Sequence, residues 1–110
     1  MNTVREKHSW GGVEIWAKSK HFVGIFYSID ARESVIIPSC NSSVSTYRVS
    51  SGILLVQEEG CDKGSDGVII TSGDSISLNN NIGHIFSAIR DCEIYGIIPP
   101  SSGEKVGKKK

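Results

Sequence analysis

The chain has no excess charge of either sign: its twelve Lys and Arg residues balance twelve Asp and Glu over 110 residues. Proteins that hold nucleic acid or an anionic bilayer through their general field concentrate positive charge, so this neutrality argues against both partners. Long apolar runs are missing too, and Met1-Asn2-Thr3-Val4-Arg5-Glu6-Lys7 lacks the apolar core of a secretion signal. The expected location is cytoplasmic. Cysteine is scarce: Cys40, Cys61 and Cys92 are an odd number at no metal-knuckle spacing. They read as reduced thiols rather than a disulfide framework. No serine sits in a Gly-x-Ser-x-Gly elbow, and Gly60 and Gly64 are not followed by the lysine of a phosphate-binding loop. No segment sustains a 3.6-residue apolar period, which excludes helices longer than a turn.

What remains is short β-branched runs separated by Gly, Ser, Asn and Asp, the pattern of an all-β domain. Strands are expected at Val13–Ala17, Phe22–Ile29, Ser34–Ile37, Val44–Val49, Ile53–Gln57, Val68–Thr71, Ser75–Leu78, His84–Ile89 and Cys92–Ile98. Along Phe22–Ile29 the set Val23, Ile25, Tyr27 and Ile29 is the better core face. Pro38 has no N–H to donate and should end its strand or confine it to an edge. Gly52, in Ser50-Ser51-Gly52, suits a turn that needs positive φ. Residues 1–100 form a single expected domain, and 101–110, ending Lys108-Lys109-Lys110, a flexible basic tail.

The most informative stretch runs from Gly73 to Phe86. A Gly73-Asp74 turn leads into alternating Ile76 and Leu78, a loop Asn79-Asn80-Asn81 follows, and a second strand opens with His84. This layout resembles the second signature of the cupin family: glycine, five residues, proline, one residue, glycine, two residues, histidine. Gly73 and His84 match, while Asn79 and Asn81 replace the proline and second glycine. Lys7-His8-Ser9-Trp10-Gly11-Gly12-Val13-Glu14-Ile15-Trp16 resembles the Lys-Pro-Trp-Gly opening of small single-domain cupins, which are similar to the C-terminal domain of type II mannose-6-phosphate isomerase. Val49-Ser50-Ser51-Gly52 matches the close of the first signature. The resemblance implies a cupin-type antiparallel β-barrel, or jelly roll, with a metal held at its mouth by three further ligands besides the histidine.

The first signature is where the chain departs. Counting back from Gly52, Pro38, Cys40 and Ser45 stand where the family places its glutamine or histidine, second histidine and glutamate. Divalent metals need three or four N, O or S donors. No cofactor is therefore expected; a divalent metal held by Cys40, His84 and solvent is the minority alternative. His84, Cys40, Ser45, Asn79 and Asn81 are the candidate ligand-binding residues, with His84 also the candidate catalytic group because its unperturbed pKa suits acid–base work.

Three functions stay open. One is a metal-free module that binds a small polar ligand of carbohydrate type, a sugar or sugar phosphate. The second is a sugar-phosphate isomerase or epimerase, and the third a scaffold. Arg48 and Arg90 are candidates for a phosphate, and Trp10 with Trp16 for a sugar-stacking face or for core and dimer contacts. Exposed edge strands give a reason to expect a homodimer.

Overall fold

The structure, a computed structural model, describes residues 4–39, 43–60 and 67–100. The tail 101–110, Cys40 and Cys61 lie outside the described residues. Ten strands make up the regular structure: β1 (Val4–His8), β2 (Gly11–Lys18), β3 (Val23–Ile29), β4 (Ser34–Ile37), β5 (Val44–Ser51), β6 (Ile53–Glu58), β7 (Val68–Thr71), β8 (Ser75–Asn79), β9 (His84–Ala88) and β10 (Cys92–Ile98). They form a six-stranded sheet in the order β1-β2-β3-β10-β5-β8 and a four-stranded sheet in the order β4-β9-β6-β7. All ladders are antiparallel.

Period-two alternation decides which residues lie between the sheets. On β3 the inward set is the expected one: Val23, Ile25, Tyr27 and Ile29 are at most 2% exposed. β10 answers with Cys92, Ile94 and Ile98, and β5 with Tyr47 and Val49. From the smaller sheet come Val35, Leu54, Val56, Ile70, Phe86 and Ala88. A line of rings crosses this core: Trp10 tilts against Tyr27 at 6.1 Å, Tyr27 meets Phe86 edge-on at 6.3 Å, and Phe86 meets Tyr47 edge-on at 5.0 Å. Such tilted and edge-to-face geometries are those the ring quadrupoles favour.

Two expectations need correction. The sheets do not close into a barrel: β1, β8, β4 and β7 each keep one unpaired side, so the jelly roll is an open sandwich. β4 stops after four residues, before Pro38, which cannot donate to a ladder. The chain also begins its sheet earlier than expected, because β1 pairs with β2 across the two-residue link Ser9-Trp10.

One end of the sandwich is braced by loops bonded to one another. Gly52 adopts φ 98°, and a Cβ there would run into the Asp91 carbonyl. The Asp91 carboxylate accepts the Ala31 N–H at 2.7 Å. Arg32 N–H donates to the Ala88 carbonyl at 2.7 Å. At the neighbouring turn the Asp74 carboxylate accepts both the Thr71 N–H (2.9 Å) and hydroxyl (3.2 Å). Cys92, 1% exposed, donates its thiol to the Ile53 carbonyl at 3.0 Å. Burial pushes this thiol above its ordinary value of 9.0, a backbone hydrogen bond at Ile53 partly opposes the rise, and the Asp91 charge adds to it.

A raised thiol pKa means that the folded state keeps its proton to higher pH than the unfolded chain. The associated stability is complete below the ordinary thiol value and falls as pH rises above it. Cys92 is accordingly expected to resist iodoacetamide at pH 8 in the native protein and to be labelled in urea. Native labelling at the unfolded rate, read by mass spectrometry, would contradict the buried placement. No helix among the described residues is long and apolar enough to cross a membrane.

Candidate ligand-binding mouth

The opposite end of the sandwich, away from the braced loops, gathers the polar residues. There β9 begins at His84 and pairs with the last residue of β4, Ile37, and the last of β6, Glu58. From the facing sheet β5 supplies Ser45, opposite Leu78 of β8. His84 is 7% exposed and Ser45 2%. Both fall in the inward phase of their strands, His84 with Phe86 and Ala88, Ser45 with Tyr47 and Val49.

The loop after β8 contributes one side chain to this end. Asn80, 7% exposed, donates from Nδ2 to the Ser45 hydroxyl at 2.8 Å and to the Ser43 hydroxyl at 3.0 Å, while its backbone N–H bonds the Ser43 carbonyl. Asn79, one residue earlier, pairs with Val44 and takes the outward phase of β8; Asn81 is exposed. Of the five candidates, the structure therefore brings His84 and Ser45 to one end, places Asn79 and Asn81 on the outside, and leaves Cys40 outside the described residues. It adds Asn80, whose amide is already engaged with the serines.

It also adds Glu58. Directly paired residues of an antiparallel ladder carry their side chains on one face, with Cβ atoms about 5 Å apart. Glu58 and His84 are such a pair. The signal was present in the period of β6, where Leu54, Val56 and Glu58 share a phase; the run of charges that follows Glu58 hides it. His84 itself has no hydrogen-bond partner for either ring nitrogen among the described residues.

Among the described residues the donor set falls short of the metal that the cupin resemblance implies. Pro38 offers no donor, the Ser45 hydroxyl is held by Asn80, and among the described residues no three His, Cys, Asp or Glu side chains converge. His84 and Glu58 alone fall short of the three or four donors a divalent ion requires.

The other candidates lie elsewhere. Arg90 lines a shallow hollow of about 710 Å³ at the braced end, with Arg32, Ile53, Ile89 and Asp91. Arg48 pairs with Tyr95 and Ser75 in the outward phase of β5. The two tryptophans do not share a face. Trp10 is 2% exposed in the core with His8 stacked on it at 4.8 Å, and Trp16, 38% exposed, meets Tyr95 on the outside of the six-stranded sheet.

No family model and no curated protein matches the sequence. Solved structures do match. An RmlC-like cupin from Shewanella frigidimarina aligns with TM-score 0.75 at 14% identity, over 94% of this chain and 89% of its own. An RmlC-like cupin protein from Desulfovibrio desulfuricans aligns with TM-score 0.69 at 15% identity, over 80% of each chain. KdgF from Halomonas sp. aligns with TM-score 0.64 at 15% identity, over 80% of this chain and 79% of its own. Agreement of this extent, at identities this low, is agreement of backbone architecture: the ten strands build the fold of the RmlC-like cupins.

Proposed function

We propose that the mouth binds a small neutral polyol of carbohydrate type, through hydrogen bonds and without a metal. The observation that carries this reading is the His84 imidazole, 7% exposed at the end that also holds Asn80 and Ser45, with neither ring nitrogen bonded to another described side chain. A neutral imidazole offers one donor and one acceptor, and a sugar hydroxyl can answer either. Arg48 and Arg90 lie away from this end, which favours an uncharged sugar over a sugar phosphate. The resemblance to the mannose-6-phosphate isomerase cupin domain supports a ligand of sugar size.

The test is a ¹H–¹⁵N titration with mannose, glucose and myo-inositol. Shifts are expected to concentrate at the Ser45, Asn80 and His84 amides. His84→Ala should weaken binding about 3- to 10-fold, the worth of one or two neutral hydrogen bonds. Absence of shifts up to 100-fold molar excess, or shifts confined to the outer faces, would overturn the reading.

A second reading, proton transfer beside a carbonyl as in an isomerase, rests on Glu58 standing next to His84. It requires solvent deuterium to enter mannose 6-phosphate at the carbon next to its carbonyl, and Glu58→Gln to abolish that exchange. The scaffold reading predicts neither binding nor exchange.

A further inference from the structure

The two glycines that open β2 do not have the same reason to be glycine. Gly11, at φ 144°, takes a backbone conformation that L side chains rarely adopt, and its Cβ would strike the Ser28 carbonyl. Gly12 has no positive φ, and a Cβ there would meet only the Glu6 carbonyl, at 3.2 Å. The backbone therefore leaves room for a small side chain at Gly12. Its absence leaves a hollow of about 480 Å³ on the outer face of the six-stranded sheet, within the size range of small-molecule sites.

Ladder pairing arranges the walls. Lys7 and Ser28 are the direct partners of Gly12 on β1 and β3, so both flank the hollow on one face. Two residues along, Glu14 stands between Arg5 and Phe26 and closes one end. Asp30, two residues beyond Ser28, closes the other. The hollow thus lies toward the braced end of the sandwich, away from His84 and the mouth.

Its charges fall into two groups. Arg5 and Glu14 neutralise each other at 3.2 Å, and Glu6, on the opposite phase of β1, is bonded to His8 at 3.2 Å. Among the described residues, Lys7 and Asp30 form no ion pair, with each other or with any other group. An ammonium and a carboxylate therefore border one hollow without meeting across it. The Ser28 hydroxyl has no bonded partner among the described residues either. Phe26 supplies the apolar part of the lining, and its ring packs on Tyr95 at 4.8 Å on the β10 side.

We propose that this hollow binds a free α-amino acid with an apolar side chain, at a site separate from the mouth. Lys7 and Ser28 take its carboxylate, Asp30 takes its ammonium, and its side chain lies over Gly12 against Phe26. A zwitterion answers both unpaired charges at once, whereas a simple anion leaves Asp30 unanswered and a simple amine leaves Lys7 so. Ser28 and Asp30 are about 7 Å apart along the chain. Two charged groups on one carbon span that separation, each with a hydrogen bond of about 2.8 Å.

A ¹H–¹⁵N titration of the full chain with L-leucine, to about 50 mM, tests the proposal. Shifts are expected at the Lys7, Gly12 and Ser28 amides, with a dissociation constant of about 1–10 mM. Isoamylamine, which is leucine without the carboxylate, and isocaproate, which is leucine without the ammonium, should each bind at least about 10-fold more weakly. Asp30→Asn, which removes the charge, and Gly12→Val, which fills the floor, should weaken leucine binding by as much. Should Gly12→Val fail to fold, Asp30→Asn keeps the test decisive, because that exposed side chain has no bonded partner to lose. His84→Ala should leave leucine binding within about 2-fold, so this site stands or falls apart from the mouth. An absence of shifts at Gly12 and Ser28 overturns the proposal. So does leucine binding indifferent to Asp30→Asn, or an amine or carboxylate that binds as tightly as leucine, the mark of a site for a single ion.

Discussion

Phe86→Ala is expected to lower the unfolding free energy by about 3–5 kcal/mol. The ring is fully buried on β9, which is hydrogen-bonded on both sides, with Val35 opposite on β4 and Val56 on β6. Across the inter-sheet space it meets Tyr27 and Tyr47 edge-on. Truncation therefore opens a hole in the middle of the ring line. Neither sheet can close on that hole without breaking a ladder or rotating a tyrosine out of its packing. Domains of this size hold about 5–15 kcal/mol in total, so the variant should sit at the limit of folding. Urea denaturation followed by far-UV circular dichroism reads the change. Phe22→Ala, at 37% exposure, should cost about 1 kcal/mol or less and serves as the reference. A loss below about 1 kcal/mol for Phe86→Ala would mean that the two sheets do not pack through this ring.

Gly11→Ala is expected to cost at least about 2 kcal/mol, more than its size suggests. Gly11 opens β2 at φ 144°, and a Cβ there would be driven into the Ser28 carbonyl of β3. That carbonyl belongs to backbone, held in register by Gly11↔Ile29 and Gly12↔Ser28, so relief requires the strands to part. The neighbouring Gly12→Ala separates this clash from a general loss of glycine, because its Cβ would meet only the Glu6 carbonyl, at 3.2 Å. A cost of about 1 kcal/mol or less is expected there. Equal costs at the two positions, by the same urea titration, would contradict the close approach of β2 to β3.

The nine strands expected from alternation are all present because their inward residues are apolar at every second position, as in Val23, Ile25, Tyr27 and Ile29. β1 escaped because Val4-Arg5-Glu6-Lys7-His8 supplies no apolar face; it is an outermost strand and owes its place to pairing with β2. Trp10 sits in a two-residue link, where no period assigns a direction, and only the folded hairpin shows its ring entering the core. The inward placement of His84 and Ser45 was legible, because both continue the inward phase of their strands. Asn79, Asn80 and Asn81 are chemically alike, and a step of one residue decides which of them turns inward. Closure of the two sheets into a barrel depends on pairing between strand edges, and that has no period in the sequence.

The unlike surroundings of the two tryptophans give the chain a pair of built-in optical reporters. Trp10 is buried, with no partner for its Nε1 among the described residues, so its emission should lie at short wavelength and escape iodide quenching. Trp16 is open to solvent beside Tyr95 and should be quenched. Unfolding then appears as Trp10 joining the quenchable fraction.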